Sequence, residues 1–400
     1  MLTQPAFGRR LKQLRQQQGK TQSDLTGPGM SSAYLSRLES GARPPTDRAV
    51  AILAERLNVS ASAFEATAPA DLVDVLATVL VAGDESGHAR LMLEAALDRA
   101  EHVGVGLQWQ AHAQLARILT ADGERAAART TLATLVELSD QMDYAMLQTY
   151  SRLHLARCQR DLGEVDPART TALEALRIGR EASLENRDMI RCRLLLASVT
   201  AELGDLAEAS RLSEEACEEV GSKQGVLAAQ ALWTAATVAT RQGHHALSAE
   251  YLDRAMAALP SREDVVLWMR LRHAAAALAL QALPPDLEQA RRYLDEAGPA
   301  LDLVGTSQHQ QESAFLHAQL AYAQGEYEQA ARLCERASVD KDRLNFRDRI
   351  RLEMLHEQIL AKQSDPSARA RLGALAAEAQ ARGMLDLTAE VWRAAAEAQP

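Results

Sequence analysis

Side chains capable of acid–base, nucleophilic or metal chemistry are scattered through the 400 residues without catalytic spacing. The sequence has no HExxH pair, no phosphate-binding glycine loop and no GxSxG elbow. His244 and His245 fall at an expected turn without a spaced carboxylate partner, and the acidic pair Glu214–Glu215 is expected to be solvated on a helix. We therefore expect neither an enzyme nor a bound cofactor.

The four cysteines, Cys158, Cys192, Cys217 and Cys334, stand far apart and form no CxxC pair. This spacing favours neither a disulfide framework nor a thiolate metal site, so they are expected to be small core residues. No apolar run approaches the roughly 18 residues that span a bilayer, and MLTQPAFGRR lacks the apolar core of a signal peptide. The sequence predicts a cytoplasmic protein with no membrane partner.

The charge of the chain is unevenly distributed. The net charge is −10, yet residues 1–67 contain nine basic and five acidic residues and carry +4. Phosphate binding needs local cationic groups rather than a basic protein overall, so a nucleic-acid contact is expected in this N-terminal segment. A composition of 47% hydrophobic but only 4% aromatic residues, rich in Ala, Leu, Arg and Glu, favours helices.

Apolar spacing and capping residues predict five short helices in residues 6–66. The first ends near Gly19, and Thr21 with Asp24 forms a capping box at the start of a short second helix. Gly27-Pro28-Gly29 ends that helix, and Ser31 is placed to cap a third helix that runs through Leu38. A fourth helix from Thr46 to Leu57 and one helical turn near Ser60–Phe64 complete the set.

The stretch TQSDLTGPGMSSAYLSRLESGARPPT, followed by LAERLNVS, resembles the Cro and lambdoid-repressor helix-turn-helix family, the XRE type. The resemblance implies a five-helix DNA-binding domain at residues 1–67 whose partner is a double-stranded operator. One departure is visible: the segment from Gln22 to Glu39 is one residue shorter than the family pattern, with Gly-Pro-Gly where helix 2 normally ends.

In that family the N-terminal part of the third helix reaches base edges in the major groove. The positions that match here are Ser32, Ala33, Ser36 and Arg37. Arg37 is the expected direct reader, because a guanidinium can bond both O6 and N7 of guanine. The alternative interpretation is that Arg37 is an ordinary solvated surface arginine that does not contact DNA.

Further DNA contacts and one structural contact are implied by the same resemblance. It places Gln22 and Arg43 near backbone phosphates, and it includes Thr21 and Ser31 among the DNA-contacting residues. It also pairs Arg15 on the first helix with Glu39 at the end of the third, an ion pair that would hold the reading helix in place.

From residue 70 onward the informative feature is a period of about 40 residues between turn formers. These are Gly83, Gly123, Gly163, Gly204, Gly243, Pro284, Gly325 and Asp365. A small residue follows each turn by five or six positions, and another precedes most turns by seven. This is the spacing of the tetratricopeptide helical hairpin, in which small residues let two antiparallel helices approach closely.

The sequence therefore predicts an all-α protein, a lambda-repressor-like helix-turn-helix domain followed by an α-solenoid at residues 68–400. Eight elongated tetratricopeptide-like hairpins and a capping helix at 385–398 would stack, with a concave face formed by the first helix of each pair. The best single match to the repeat is GEYEQAARLCERA at 325–337.

Counting back from each turn selects the side chains that should face this groove. The ligand-binding candidates are Gln110, Arg117, Tyr150, Arg157, Arg160, Arg191, Gln230, Trp233 and Phe315, and Arg241 falls in the same set. Five arginines in an acidic domain suit a carboxylate, a phosphate or an acidic peptide. The alternative is an ordinary solvated helix face, since arginine is common throughout this chain.

The combination of a helix-turn-helix with tetratricopeptide-like repeats resembles the bacterial peptide-sensing regulators of the Rgg and PlcR kind. That resemblance implies a signalling peptide in the groove and a homodimer built by the repeats. Asparagines that hold the peptide backbone are typical of the grooves of those regulators. The groove set here contains no asparagine, so its ligand chemistry is expected to differ from theirs. Two other hypotheses stay open: an interaction scaffold tethered to DNA, and a helix-turn-helix that only mediates assembly.

Overall fold

The computed structural model describes residues 4–64, 71–82, 88–100, 103–221, 223–282, 284–339 and 341–398. Throughout these ranges the regular elements are helices, and no strand is formed apart from an isolated bridge between Gly27 and Met30. The all-α prediction is confirmed. Within the same ranges, no helix combines the length and apolarity that crossing a membrane requires.

The chain forms two compact units, residues 1–101 and 102–400. The helices of the first unit are α1 (Ala6–Gln17), α2 (Ser32–Glu39), α3 (Asp47–Leu57), α4 (Leu72–Ala82) and α5 (Ala89–Leu97). Short 3-10 turns at Ser23–Leu25 and Ala61–Phe64 complete it. The hairpin of α4 and α5 thus belongs to the N-terminal unit, whereas the sequence boundary at residue 67 grouped it with the repeats. Gly83, its expected turn residue, lies outside the described residues.

In its described residues the second unit consists of seven consecutive helical hairpins and a final helix, with a 3-10 turn at Lys341–Arg343. Its hairpins begin with α6 (Val105–Ala121), α7 (Arg125–Met142), α8 (Ala145–Asp161), α9 (Val165–Glu181), α10 (Asn186–Glu202), α11 (Leu206–Val220), α12 (Val226–Arg241) and α13 (His245–Ala258). They continue with α14 (Val265–Gln281), α15 (Leu287–Val304), α16 (Ser307–Ala323), α17 (Tyr327–Ser338), α18 (Phe346–Lys362), α19 (Ala368–Ala381) and α20 (Leu385–Glu397).

Five of the predicted turn glycines end the first helix of a hairpin in the left-handed conformation. Gly123 and Gly163 both have φ of 77°, and each turn is closed by two backbone hydrogen bonds. In the first turn the amide of Glu124 reaches the carbonyl of Leu119 over 2.9 Å. A glycine is favoured here because a Cβ would clash in this conformation. The last hairpin differs, since Ser364 rather than Asp365 takes the positive φ.

Alanines at the predicted spacing let the two helices of each hairpin approach closely. Ala156 and Ala168 are fully buried on α8 and α9, and equivalent alanines occupy most other hairpins. In the α12–α13 hairpin the buried small residue is Ser248, whose hydroxyl accepts a hydrogen bond from the Thr240 hydroxyl at 2.7 Å. The tetratricopeptide-like prediction therefore holds where it depends on small residues at the helix contact.

The C-terminal helices return to the turns of earlier hairpins within the second unit. Arg343 donates from Nη1 to the carbonyl of Asp122 at 3.1 Å, and Arg382 donates to the carbonyl of Leu162 at 3.2 Å. A Cβ at Gly163 would lie only 2.7 Å from Cγ of Phe346, so the absence of a side chain makes room for this ring. The end of the repeat array thus packs against the first two hairpins of the second unit.

Candidate functional site

Helix α2 presents one apolar and one polar face. Leu35 and Leu38 are buried in the core of the helix-turn-helix, together with residues from α1 and α3. The opposite face carries the four residues expected to read bases, and all four are exposed: Ser32, Ala33, Ser36 and Arg37. The Arg37 guanidinium makes no hydrogen bond or ion pair with the residues described, so its donors are available to a ligand.

The start of α2 is capped as the sequence predicted. The hydroxyl of Ser31 accepts a hydrogen bond from the Tyr34 amide at 3.2 Å, and Ser31 itself has extended backbone angles. This cap satisfies one of the free amides of the first turn. This is the helix end where DNA contacts are expected.

An ion pair fixes the other end of α2 against α1. Arg15 donates from Nε and Nη2 to the two carboxylate oxygens of Glu39 at 2.6 and 3.0 Å. Burial alone would raise the pKa of Glu39, but hydrogen bonds from Arg15 and Gln22 outweigh it and lower that pKa. The predicted structural pair is present, and the Gln22 amide, expected near a phosphate, donates to Glu39 at 2.7 Å.

The segment between Thr21 and α2 departs from the expected helix. The predicted capping contacts form, with the Thr21 amide donating to the Asp24 carboxylate at 2.7 Å, and the Thr21 hydroxyl lowers the pKa of Asp24. However, only one 3-10 turn follows, because Thr26 is extended and Gly27 and Gly29 have positive φ. The prediction of a short second α-helix was wrong for this reason.

A side chain from α3 replaces the bonds that a longer second helix would have made. Arg56 donates from Nη1 to the carbonyl of Leu25 at 2.6 Å and from Nη2 to that of Pro28 at 2.8 Å. The two carbonyls flank the Gly-Pro-Gly turn, so one guanidinium ties it to α3. Sequence reasoning did not single out Arg56, although two unpaired carbonyls at a shortened helix call for a nearby donor.

Arg43, the second predicted phosphate contact, lies beside α2. Its backbone amide donates to the carbonyl of Arg37 at 3.1 Å, and its guanidinium lies 5.0 Å from the centre of the Tyr34 ring. Both Thr21 and Arg43 are exposed. The placement of these residues is compatible with a phosphate contact, which remains a prediction.

In the second unit, aromatic residues of α6 and α8 lie in tilted ring contact beside the expected groove positions. The rings of Trp109 and Tyr150 lie 5.7 Å apart, and Tyr150 lies 4.3 Å from His154. Burial, followed by the charges of Arg157 and Arg191, lowers the pKa of His154 to about 4. The imidazole is therefore neutral at pH 7, and it adds no positive charge to the arginines beside it.

Arg157 is the most distinctive of the predicted ligand residues. It is exposed to solvent yet surrounded by protein, and the resulting loss of hydration, with the charges of Arg160, Arg270 and Arg191, lowers its pKa. It has no hydrogen bond or ion pair with the described residues, while Arg191 is held only loosely by Asp188 at 3.5 Å. Such a cluster of arginines is stabilised by a bound anion.

Arg270 on α14 extends this cluster and was missed by sequence counting. It is exposed, and its guanidinium lies 5.4 Å from the centre of the Trp233 ring. Helix α12 ends two residues before its turn glycine, whereas α14 ends three residues before Pro284. Counting from the end of the helix rather than from the proline would have selected Arg270.

Not every predicted groove residue reaches this surface. Phe315 is buried against α17 and α18, with 4% of its surface exposed, so its assignment to the ligand surface was wrong. Its ring fills the space between consecutive hairpins, a role that spacing alone could not distinguish from a groove position. Arg160 pairs with Asp161 at 2.8 Å and lines a polar cavity.

The remaining candidates have no direct contact with the cluster formed by Arg157, Arg191 and Arg270. Gln110 is exposed, and Gln230 is half-buried. Arg117 is exposed and donates to the side chain of Gln114 at 3.1 Å, one turn away on the same helix. These three residues remain predictions, while Tyr150, Arg157 and Arg191 share one neighbourhood.

Comparisons with known proteins agree with both halves of this description. Residues 6–66 match the family model described as "Helix-turn-helix domain", and no curated protein matches the sequence. The apo form of the quorum sensor NprR from Bacillus thuringiensis is similar in structure, with a TM-score of 0.54 and 12% identity over 82% of this chain and 92% of that chain.

Two Rap structures are similar over almost their whole length. A Rap protein complexed with competence and sporulation factor has a TM-score of 0.55 and 11% identity, covering 94% of this chain and 99% of that one. The Rap conjugation gene regulator of plasmid pLS20, in complex with the Phr* peptide, has a TM-score of 0.51 and 12% identity, covering 97% and 96%. The expected likeness to peptide-sensing regulators is confirmed at the level of the fold. This chain therefore carries an N-terminal helix-turn-helix domain and a helical-repeat body with the fold of the NprR and Rap proteins.

Proposed function

We propose that this protein is a sequence-specific transcriptional regulator that binds an operator through α2 and a ligand through the groove of its repeats. The observation that carries the DNA half is the exposed, unpaired guanidinium of Arg37 on a helix fixed at both ends. Ser31 caps one end, and the Arg15–Glu39 pair fixes the other. A rigid helix with an outward arginine suits guanine recognition in the major groove.

Operator selection from a random DNA library, followed by binding measurements on the selected site, tests this assignment. Arg37→Ala should weaken binding by about 1–3 kcal/mol and relax base choice at one position of each half-site. Arg169→Ala is the matched control, because Arg169 is an exposed arginine on α9 of the repeat body. Equal binding of wild type and Arg37→Ala across all sequences would contradict direct readout.

The ligand half of the proposal rests on Arg157, Arg191 and Arg270. Burial, followed by repulsion from Arg160, Arg270 and Arg191, lowers the pKa of Arg157, and a carboxylate or phosphate bound beside these guanidinium groups would offset both effects. Tyr150 and Trp109 add an aromatic surface beside these charges. We infer an anionic ligand with an apolar portion, and an acidic peptide is one such ligand, since one of the similar Rap structures is a complex with a peptide.

Thermal-shift measurements with acidic hexapeptides, citrate and inorganic phosphate test the groove. A ligand at a hundred times its dissociation constant should stabilise the protein by about 2.7 kcal/mol. Arg157→Gln should remove this stabilisation, while Arg169→Gln should retain it. Stabilisation that survives both Arg157→Gln and Arg191→Gln would show that the site lies elsewhere.

We further propose that the protein acts as a homodimer on a two-fold operator, with half-sites about one helical turn, or ~34 Å, apart. A footprint of that spacing, together with a dimeric mass in solution, would support this assembly. The second candidate is a scaffold tethered to DNA, which the exposed first helices of the repeats also allow. It predicts operator binding that no ligand alters.

A further inference from the structure

The side chain just before α1 bonds to backbone groups near the end of α2. Gln4 donates from Nε2 to the carbonyl of Leu38 at 3.1 Å and to the carbonyl of Arg43 at 2.6 Å. Its Oε1 accepts a hydrogen bond from the Gly8 amide at 3.0 Å. A primary amide has two N–H donors, and Gln4 uses both of them on α2 and on the loop that follows it. One side chain thus joins the first turn of α1 to the loop that carries a predicted phosphate contact.

Two glycines bring these elements close enough for the bonds to form. A Cβ at Gly8 would lie 2.3 Å from the carbonyl oxygen of Leu38 and 2.8 Å from that of Glu39, so a larger residue would push α2 away from α1. A Cβ at Gly41 would lie 3.2 Å from Cβ of Pro5, so the loop after α2 also packs on the segment before α1. Tight backbone packing therefore places this loop, and the side-chain amide before α1 adds the hydrogen bonds.

Arg43 is held at three points. Its amide donates to the carbonyl of Arg37 at 3.1 Å, and its own carbonyl accepts the bond from Gln4, so both peptide groups that flank its Cα are fixed. The ring of Tyr34 supports the guanidinium, with its centre 5.0 Å from the guanidinium carbon. The side chain nevertheless remains exposed. A cation that is ordered before its partner arrives loses less conformational entropy on binding, so this arrangement favours contact with an anion.

We propose that Gln4 is a positioning residue for DNA binding, which holds Arg43 in the conformation that bonds a backbone phosphate. The inference rests on the proposed function, because it takes Arg43 as a phosphate contact. Phosphate contacts fix the register of a protein on the duplex but carry no sequence information directly. Gln4 should therefore affect how tightly the protein binds its operator and leave the preferred bases unchanged.

Hydrogen exchange on the full chain without DNA tests the ordering of the loop. Gln4→Met keeps an unbranched side chain of similar length and removes all three hydrogen bonds. The Arg43 amide should then exchange about tenfold faster, while the amides of α3 keep their rates. Gln4→Glu retains the acceptor for Gly8 but has no donor for either carbonyl, so it should give the same result. Gln13→Met is the matched control, because Gln13 is exposed on α1 and makes no side-chain hydrogen bond with the described residues.

Operator binding measured as a function of salt tests the link to DNA. Arg43→Ala should reduce the slope of log affinity against log salt concentration by about 0.9, which corresponds to the loss of one phosphate contact. Gln4→Met should weaken binding about 2- to 10-fold with the same base preference. In the Arg43→Ala background, Gln4→Met should weaken binding by less than about twofold, because the side chain that it positions is gone.

Unchanged exchange of the Arg43 amide in both Gln4 variants would overturn the inference. Equal acceleration of every amide in the unit would also overturn it, because Gln4 would then support the whole core. The same holds if Gln4→Met weakens binding equally with and without Arg43, or if Arg43→Ala leaves the salt slope unchanged while an operator is still selected. If exchange at Arg43 is faster but no operator is selected, the proposed function itself is wrong, and the DNA role of Gln4 is rejected with it.

Discussion

Arg56 offers the sharpest test of how the shortened helix-turn-helix is held together. Replacing it with methionine keeps an unbranched side chain of similar length but removes both donors to the carbonyls of Leu25 and Pro28. A hydrogen bond from a charged donor contributes about 1.5–3 kcal/mol when well shielded. Arg56 is half-buried, so we expect a total loss of about 1–3 kcal/mol for the pair.

The loss should be measured on the N-terminal unit within the full chain. For a domain of 60–100 residues, 1 kcal/mol corresponds to about 4–8 °C in Tm. Exchange of the α2 amides, followed as a function of temperature or urea, separates this unit from the repeats. Arg48→Met is the matched control, because Arg48 is exposed on the same helix and makes no bond to the described residues.

DNA binding provides the second readout. If Arg56 sets the angle of α2 through the Gly-Pro-Gly turn, Arg56→Met should lower the preference for the selected operator over random DNA. Arg56→Lys should rescue little, because one ammonium cannot match the two divergent donors of a guanidinium. Equal stability and operator preference in Arg56→Met and Arg48→Met would refute this reasoning.

Three further outcomes follow from the titratable groups. The pKa of Glu39 is lowered below its ordinary value of 4.5, so its stabilisation is present above that pH and is lost as the pH falls through the folded value; Glu39→Gln should flatten this acid dependence of unfolding. The pKa of His154 is lowered from 6.5 to about 4, so the free energy of unfolding should decrease by up to about 3 kcal/mol as the pH falls from 6.5 to 4. An NMR titration should show the pKa of His154 rise when an anion binds Arg157. Burial raises the pKa of Cys334 to about 12 and that of the half-buried Cys217 to about 11, so alkylation at pH 8 should be slow and should reach Cys217 first, as mass spectrometry can determine.

The periodic features of this fold could be predicted because they depend on local chemistry. A glycine in the left-handed conformation ends the first helix at Gly123 and Gly163, and the capping hydroxyls of Ser31 and Thr46 accept the expected amides. Such contacts lie within a few residues of one another, so spacing alone is informative. The Arg15–Glu39 pair followed from the family resemblance and is also present.

The features that spacing could not predict depend on contacts distant in sequence. Phe315 and Arg160 occupy expected groove positions in the repeat, but neighbouring hairpins bury one and an adjacent carboxylate pairs with the other. Arg270 was missed because α14 ends three residues before Pro284, whereas α12 ends two residues before its turn glycine. Counting back from the turn residue therefore selects the position one residue after Arg270. Arg56 acts across 28 and 31 residues, and no local rule connects it with Pro28 or Leu25.

The return of the C-terminal helices to the early hairpins limits how this protein can change in length. Open repeat arrays gain or lose whole units readily, because each unit contacts only its neighbours. Here the insertion of a 40-residue hairpin between α12 and α18 would carry Arg343 away from Asp122, and Phe346 away from Gly163. The number of repeats between these elements is therefore fixed by geometry. Sequence change in this part of the chain is limited to substitutions within the existing hairpins and excludes the duplication of a whole hairpin.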